Sequence, residues 1–216
     1  MLTIALVSLK GGVGKSTLAC NLAACLAGSL RVVLVDADTQ GSTAAWGARA
    51  VESGREGVPV VAMAPSSLVR DLPKLASSFD VAIIDTPARL GVAARGAIMA
   101  CDVALVPCGP SAIDVWATHE TVAVIEEAQA LRPELLARIV LNRANHTRGS
   151  RSAEKALADF PIPMLGTSLG NRALLAEAMG LGLGVTDHDA KSDAAMEVRR
   201  MTRELVELVG GAQVAA

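Results

Sequence analysis

A glycine- and lysine-rich stretch near the beginning of the chain restricts the possible folds more than any other feature. Residues 8–17 read SLKGGVGKST, after an apolar run at 2–7 and before an alanine-rich apolar pattern at 18–27. A strand, a glycine loop and a helix in this order form the setting of a phosphate-binding loop. The glycines let successive backbone N–H groups converge, and the helix N-terminus adds partial positive charge. The stretch therefore predicts a polyphosphate site in an α/β protein.

Three side chains at the end of this loop have predicted contacts with the polyphosphate and its metal ion. Lys15 is expected to reach the β- and γ-oxygens, Ser16 to bind Mg²⁺ through its hydroxyl, and Thr17 to bond the α-phosphate. The predicted nucleotide-binding residues of the loop are Gly11, Gly12, Val13, Gly14, Lys15, Ser16 and Thr17.

Composition limits the other classes of protein to which the chain could belong. Its 216 residues suit one domain, and its formal charge of −2 argues against a uniformly basic nucleic-acid binder, so any DNA contact must be a local patch. Only 2% of the residues are aromatic, which leaves few surfaces on which bases could stack. Residues 1–8 lack the features of a secretory signal, and no apolar run is long enough to cross a bilayer. We therefore expect a soluble, cytoplasmic protein.

Apolar strand patterns alternate with helical patterns along the whole chain. Strands are predicted at 2–7, 31–35, 58–63, 81–84, 103–106 and 139–141, and helices at 18–27, 42–46, 66–76, 91–100 and 113–130. This alternation predicts an α/β fold with a single doubly wound, mostly parallel sheet and helices on both faces. Residues 1–209 are predicted to form one domain, and residues 210–216 a flexible tail.

Polar residues follow several of these strands, where ligands bind in parallel sheets. Asp36 and Asp38 lie two residues apart after the second strand, so both carboxylates could face a γ-phosphate and its Mg²⁺. Their alternative role is to cap the next helix. Asp85 ends the apolar run at 81–84 and is predicted to hold Mg²⁺ through a water molecule. Asn142 ends the last predicted strand, and its amide matches an adenine edge, although it could also be a turn residue.

Lys10, which precedes the paired glycines, gives the loop a distinctive form. The general phosphate-loop pattern would place glycine at position 9, where this chain has Leu9. The string KGGVGKST instead resembles the deviant Walker A motif of the ParA/MinD family of P-loop ATPases. The segments DADTQGS, VAIIDTP and DVALVP follow in the order found in that family. The family's usual proline is replaced by Thr39, so the first switch is expected to be less stiff.

The resemblance implies a Mg²⁺-dependent ATP hydrolase that forms a homodimer around ATP. Lys10 would reach the nucleotide of the partner subunit, and Lys10 and Lys15 would stabilise the transferring phosphoryl group. Asp38 would orient the attacking water, Asp36 would support the metal shell, and Asn142 would read the adenine. A second switch would begin at 86–87. The family role of Asp114, a contact with the partner subunit, competes with a simple helix-dipole role.

The resemblance also implies nonspecific DNA binding, with nucleoid association, by basic residues in the C-terminal half of the chain once the ATP dimer unites two such patches. The candidate residues are Arg143, Arg148, Arg151, Lys155, Arg172, Arg199, Arg200 and Arg203. They form two clusters, one at 143–155 and one at 199–203, and Arg172 either belongs to the first cluster or caps a helix. A solvated helix face explains either cluster nearly as well. Without an N-terminal helix-turn-helix, the chain looks like a small ParA protein, whose hydrolysis is stimulated by a ParB-like or other adaptor. The cargo, whether plasmid, chromosome or protein assembly, stays open.

Two other functions within the superfamily remain as alternatives. The amphipathic segment 196–209 could suggest a membrane-surface ATPase like MinD, but Glu204 and Glu207 interrupt its basic face, so membrane binding is not expected. The chain could also be a metal-cluster or metal-insertion ATPase, since Cys101 and Cys108 flank a predicted strand. The cysteines form no C-x-x-C pair, which favours buried, reduced thiols.

Overall fold

A computed structural model describes residues 1–88, 92–145 and 147–210 of the chain. Within these residues, six strands form one sheet in the order β3-β2-β4-β1-β5-β6, and every neighbouring pair is parallel. The strands are β1 (Leu2–Leu6), β2 (Val32–Asp36), β3 (Val60–Ala62), β4 (Val81–Asp85), β5 (Val103–Cys108) and β6 (Leu136–Leu141). The predicted doubly wound sheet is confirmed, and it is parallel throughout.

Helices cover both faces of the sheet. They are α1 (Lys15–Ala27), α2 (Ser42–Glu52), α3 (Leu68–Asp71), α4 (Val92–Ala100), α5 (Ala112–Leu131), α6 (Arg148–Ala158), α7 (Ala173–Gly180), α8 (Val185–His188) and α9 (Asp193–Leu208). One core contains α1, α2, α7, α8 and α9, and the other contains α3, α4, α5 and α6. The central strands are therefore buried on both sides, as their continuous apolar sequences predict.

Successive residues of each strand contribute to opposite cores. In β1, Ile4 packs into one core and Ala5 into the other, and in β2 the same division separates Leu34 from Val35. All five residues of β2 are buried. This alternation follows from the two-residue period of a strand.

Some element bounds differ from the sequence prediction. Strand β6 begins at Leu136, three residues before the predicted start. The single helix predicted at 66–76 is instead the short helix α3 between two 3₁₀ turns, Pro65–Ser67 and Leu72–Leu75. Pro73 lies in the second turn and lacks the N–H that a continuous α-helix needs. Most of the predicted tail, 211–216, lies outside the described residues.

The register of the sheet brings three loop-bearing strand ends together. Asp85 at the end of β4 is paired with Leu6 of β1 on one side and with Asp36 of β2 on the other. The glycine loop follows β1 directly. The phosphate loop and both strand-end carboxylates therefore meet at one edge of the sheet, as the sequence predicts.

Candidate nucleotide-binding site

The glycine loop adopts the backbone conformation that a phosphate cradle requires. Gly12 and Gly14 have φ angles of 77° and 93°, a left-handed region that residues with a Cβ rarely occupy. Gly14 is the N-cap of α1, whose first turn contains no acidic residue and no side-chain cap. The N–H groups at this helix end are thus left for an anion.

Lys10 and Lys15 occupy different environments although both belong to the loop. Lys15 is 7% exposed, and its Nζ lies 3.3 Å from the carbonyl oxygen of Ser8 and 3.4 Å from that of Lys10. Burial lowers the pKa of Lys15, while Asp85 and Asp38 oppose that shift. The ammonium group of Lys10 pairs instead with Asp114 in the first turn of α5. The two lysines therefore have different partners.

Asp114 has the helix-end role that its sequence position allowed, and it also pairs with a lysine of its own chain, while its contact with a partner subunit stays a prediction. It lies in the first turn of α5 and closes a capping box, in which the Ser111 hydroxyl donates to its carboxylate at 2.5 Å. Its second carboxylate oxygen accepts from Lys10 of the same chain. Burial alone would raise the pKa of Asp114, but Lys10 and Ser111 together hold that pKa below its ordinary value. Sequence spacing gave no signal for this ion pair, because its partners are 104 residues apart.

Asp85 has the environment of a cation ligand. It is fully buried, and neither carboxylate oxygen has a hydrogen-bond partner within the described part of the chain. Burial raises the pKa of Asp85 to about 6, Asp36 and Asp38 add to that shift, and Ser16 and Lys15 oppose it. Buried carboxylates without partners are costly, so a divalent cation at this position would satisfy Asp85. The residues present fit Mg²⁺.

Asp36 and Asp38 are not equivalent. The carboxylate of Asp36 is buried and accepts from the backbone N–H groups of Asp38 at 3.1 Å and of Ala44 at 2.8 Å. It thus stabilises the turn into α2, which is the capping alternative. Asp38 is more exposed and accepts only from the N–H of Gln40 among the described residues, at 3.0 Å. The carboxylate of Asp38 therefore retains free acceptor capacity.

Asn142 connects the end of β6 to the phosphate loop. Its Nδ2 donates to the carbonyl oxygen of Val13 at 2.7 Å, and its Oδ1 accepts from the N–H of Arg143 at 2.9 Å. A cavity of about 450 Å³ begins here and is bordered by Gly14 and Thr17. Asn142 is buried and also lines this cavity. The bond to Val13 was not foreseen from the sequence.

The predicted DNA contacts divide into paired and unpaired groups. Arg148, Arg151 and Lys155 are exposed on α6, and no ion pair involves them among the described residues. Arg172 pairs with Asp193 at 3.3 Å and with Glu197 at 2.8 Å, which offsets its charge. The remaining candidates are exposed on α9 or in the loop after β6: Arg199, Arg200, Arg203 and Arg143. The guanidinium of Arg199 donates to the carbonyl oxygen of Ala190.

Comparison with known proteins places this site in a family. Residues 4–185 match the family described as the CobQ/CobB/MinD/ParA nucleotide binding domain. The chain belongs to this family. The ParA/MinD resemblance read from KGGVGKST is thereby confirmed, and the motifs described above all lie within the matched residues.

Two relatives of this ParA/MinD-family chain match nearly its full length. Maintenance of carboxysome distribution protein A of Halothiobacillus neapolitanus is 32% identical over 207 residues, covering 94% of this chain and 96% of the relative. The chromosome-partitioning ATPase Soj of Thermus thermophilus is 30% identical over 236 residues, covering 94% of each chain.

Solved structures share the fold. Apo McdA from Cyanothece has a TM-score of 0.81 at 18% identity, covering 95% of this chain and 99% of that one. MinD of Pyrococcus horikoshii complexed with Mg-ADP has a TM-score of 0.75 at 20% identity, covering 97% of each chain. These likenesses show the P-loop ATPase fold.

Three further observations concern the alternative functions. Across the described ranges, no helix has the length and apolarity needed to cross a membrane. The four cysteines are free thiols, and burial raises the pKa of Cys101 to about 12. No group of three His, Cys, Asp or Glu side chains in the described residues is placed to hold a metal ion.

Proposed function

We propose that this protein is a nucleotide-switched positioning ATPase. It binds Mg-ATP, closes into a homodimer, holds DNA without sequence preference in that state, and releases the DNA after hydrolysis. The observation that carries this proposal is the separation of Lys10 from Lys15. Lys15 is buried in its own cradle, whereas Lys10 is held at the protein surface by Asp114.

The direction of Lys10 supports a role across a two-fold interface. Its side chain is 30% exposed and is turned toward α5, so its charge is not used by the cradle of its own chain. This ion pair is partly buried, with only 15% of the Asp114 side chain exposed, so the release of Lys10 has a cost that a new partner must offset. A second subunit facing this edge would offer Lys10 a triphosphate, which is a stronger partner than one carboxylate. Asp114 would then be the partner of Lys10 in the monomer, before the dimer forms.

Each step of hydrolysis would be carried out by named residues of this chain. Mg²⁺, when bound, supplies positive charge to the β- and γ-phosphate oxygens. Ser16 and Asp85 would hold it, and Asp36 would support the metal shell while fixing the turn that carries Asp38. Lys15 would neutralise charge on the transferring group, and Asp38 would orient the attacking water through its free acceptor capacity.

The proposed cargo is inferred from the names of two relatives. One relative is named for the distribution of carboxysomes and another for chromosome partitioning, so both a protein assembly and DNA are represented. We infer a cytoplasmic, nucleoid-associated protein whose hydrolysis is stimulated by a ParB-like or other adaptor that links it to its cargo. The exposed basic face of α6 is the proposed DNA surface.

Replacing Lys10 with alanine tests the dimer. We expect the wild-type chain to double its mass with Mg-ATP under light scattering, and Lys10→Ala to remain monomeric with turnover about 30-fold lower, because the cross-subunit cation is lost. ATP affinity of the monomer should change little, since Lys15 remains. Lys74→Ala, which removes an exposed lysine paired with Asp71, is the matched control. A variant at position 10 that dimerises and hydrolyses like the wild type would disprove the cross-subunit role.

Charge reversal on α6 tests the DNA surface. We expect Arg148→Glu/Arg151→Glu to lower ATP-dependent DNA affinity by about 30-fold at low salt. The slope of the binding constant against salt concentration, on logarithmic axes, should become shallower by the amount that about two phosphate contacts contribute. The measurement is a titration of random-sequence duplex with ATP, with ADP and without nucleotide, at several salt concentrations.

The control for this experiment has the same change in net charge. Arg49→Glu/Arg70→Glu alters exposed arginines on α2 and α3, away from the β6 edge of the sheet. It should leave DNA binding near the wild-type value. Equal losses in both double variants would show a general charge effect, and DNA binding that ignores the nucleotide would contradict the switch.

A further inference from the structure

The cavity beside the phosphate loop has the size and position of a nucleoside site. Its volume of about 450 Å³ lies within the range of about 300–1,000 Å³ found for small-ligand pockets. It starts at Gly14 and Thr17, where the α-phosphate is expected, and extends toward α7. Its lining residues are Gly14, Thr17, Asn142, Arg143, Gly170, Asn171, Arg172, Ala173, Leu175 and Ala176.

No aromatic side chain lines this cavity, although a purine has two broad faces to cover. The chain contains no tyrosine, two tryptophans and two phenylalanines, and none of these four residues borders the cavity. Leu175 and Ala176 of α7 provide an aliphatic wall. The planar groups that remain are the side-chain amides and two guanidinium groups, those of Arg143 and Arg172. A guanidinium stacks on aromatic rings and can replace an aromatic side chain.

Of the two arginines, Arg172 already forms ion pairs with other residues. Its guanidinium pairs with Asp193 and Glu197 of α9, and Glu197 also accepts from the backbone N–H of Gly170. Arg143 is exposed and has no ion pair within the described ranges. Its guanidinium is therefore available to a ligand in the cavity.

The backbone of Arg143 is held in an unusual conformation that depends on the phosphate loop. Its φ of 56° is the only positive value at a non-glycine residue in the described part of the chain. Residues with a Cβ avoid this region, and exceptions cluster at ligand sites. The N–H of Arg143 donates to Asn142, whose Nδ2 bonds Val13. Two hydrogen bonds thus link the position of Arg143 to the phosphate loop.

From this geometry we infer that Arg143 covers one face of the purine base of the bound nucleoside triphosphate, opposite the aliphatic wall of α7. The inference rests on the proposed function, because it concerns the same ATP site. It also moves Arg143 from the predicted DNA contacts to the nucleotide pocket. Asn142 becomes the positioning residue that fixes the Arg143 backbone.

The test separates binding of the base from binding of the phosphates. Dissociation constants for Mg-ATP and for magnesium tripolyphosphate, which has no base, are measured by calorimetry for the wild type, Arg143→Ala, Arg143→Lys and Arg70→Ala. We expect Arg143→Ala to weaken ATP about tenfold and tripolyphosphate less than twofold. Arg143→Lys keeps the charge but not the plane, so it should recover only part of the loss. Arg70→Ala, which removes an exposed arginine of α3 outside the cavity, should bind both ligands normally.

A further variant distinguishes the loss of a contact with ATP from a loss of folding stability. Arg143→Gly removes the side chain and relaxes the positive φ, so it should lose the same tenfold in ATP affinity while melting no lower than the wild type. Unchanged ATP affinity in Arg143→Ala, with or without weaker DNA binding, overturns the inference and leaves the proposed function intact. Equal weakening of ATP and tripolyphosphate also overturns it, since only charge is then involved. A wild-type chain that binds no ATP overturns both.

Discussion

Exchanging Gly14 for alanine is expected to raise the ATP dissociation constant by more than about 100-fold and to lower the free energy of unfolding by about 3 kcal/mol. Gly14 has a φ of 93°, and a Cβ built at this position would lie 2.5 Å from Nδ2 of Asn142. Alanine would therefore be strained and would also displace the amide that bonds Val13. The cradle and the cavity beside it would be disturbed together.

Gly12 offers the matched control for this prediction. Its φ of 77° is also positive, but a Cβ there would meet nothing within 4 Å. Gly12→Ala should cost only the backbone strain, about 1 kcal/mol. The double variant Gly14→Ala/Asn142→Ala should recover part of the stability lost at position 14, because the collision is removed. Chemical unfolding and ATP titration of the four proteins measure this, and equal effects at positions 12 and 14 would refute the collision with Asn142.

Asp85→Asn should separate activity from stability. We expect ATP hydrolysis to fall about 1,000-fold, because the buried charge that is proposed to hold Mg²⁺ is removed. Without nucleotide or metal, however, the free energy of unfolding of the variant at pH 7 should be about 1–2 kcal/mol higher than that of the wild type. A carboxylate whose pKa is raised to about 6 is destabilising when ionised, and the unpaired amide that replaces it retains part of that cost.

The pH dependence of unfolding gives an independent check on Asp85. Because its folded pKa of about 6 lies above its unfolded value, the folded state holds the extra proton between about pH 4 and pH 6. Stability from this group is therefore greatest below that window and is lost as the pH rises through it. The difference in unfolding free energy between wild type and Asp85→Asn, measured with a chelator present, should change across pH 4–6. A constant difference would show that Asp85 is not buried as an unpaired acid.

Much of the site could be predicted from the sequence because its determinants are local. The order strand, glycine loop, helix at 2–27 fixes where backbone N–H groups converge, and a carboxylate ending an apolar strand must lie at the carboxyl edge of a parallel sheet. For that reason the sequence predicts that Lys15, Asp85 and Asn142 lie at this edge. The helix predicted at 66–76 was wrong in detail because Pro73 interrupts it.

Other features depended on contacts between distant segments. The sequence identified Lys10 as unusual, but only the fold shows that it rests on Asp114 rather than in its own cradle. It left Arg172 either in the basic cluster of Arg143 or at a helix cap, whereas the structure pairs Arg172 with α9 and leaves Arg143 beside the cavity at the phosphate loop.

The sequence by itself determined the fold class, the phosphate loop and the strand-end carboxylates, because hydrophobic periodicity and glycine backbone freedom act over a few residues. Tertiary structure alone decided which charges are neutralised, where Lys10 is held and why Arg143 takes a left-handed conformation. Those outcomes depend on hydrogen bonds and ion pairs between residues that are far apart in the chain. Such pairs leave no periodic pattern in the sequence and exist only once the sheet has brought its loops to one edge.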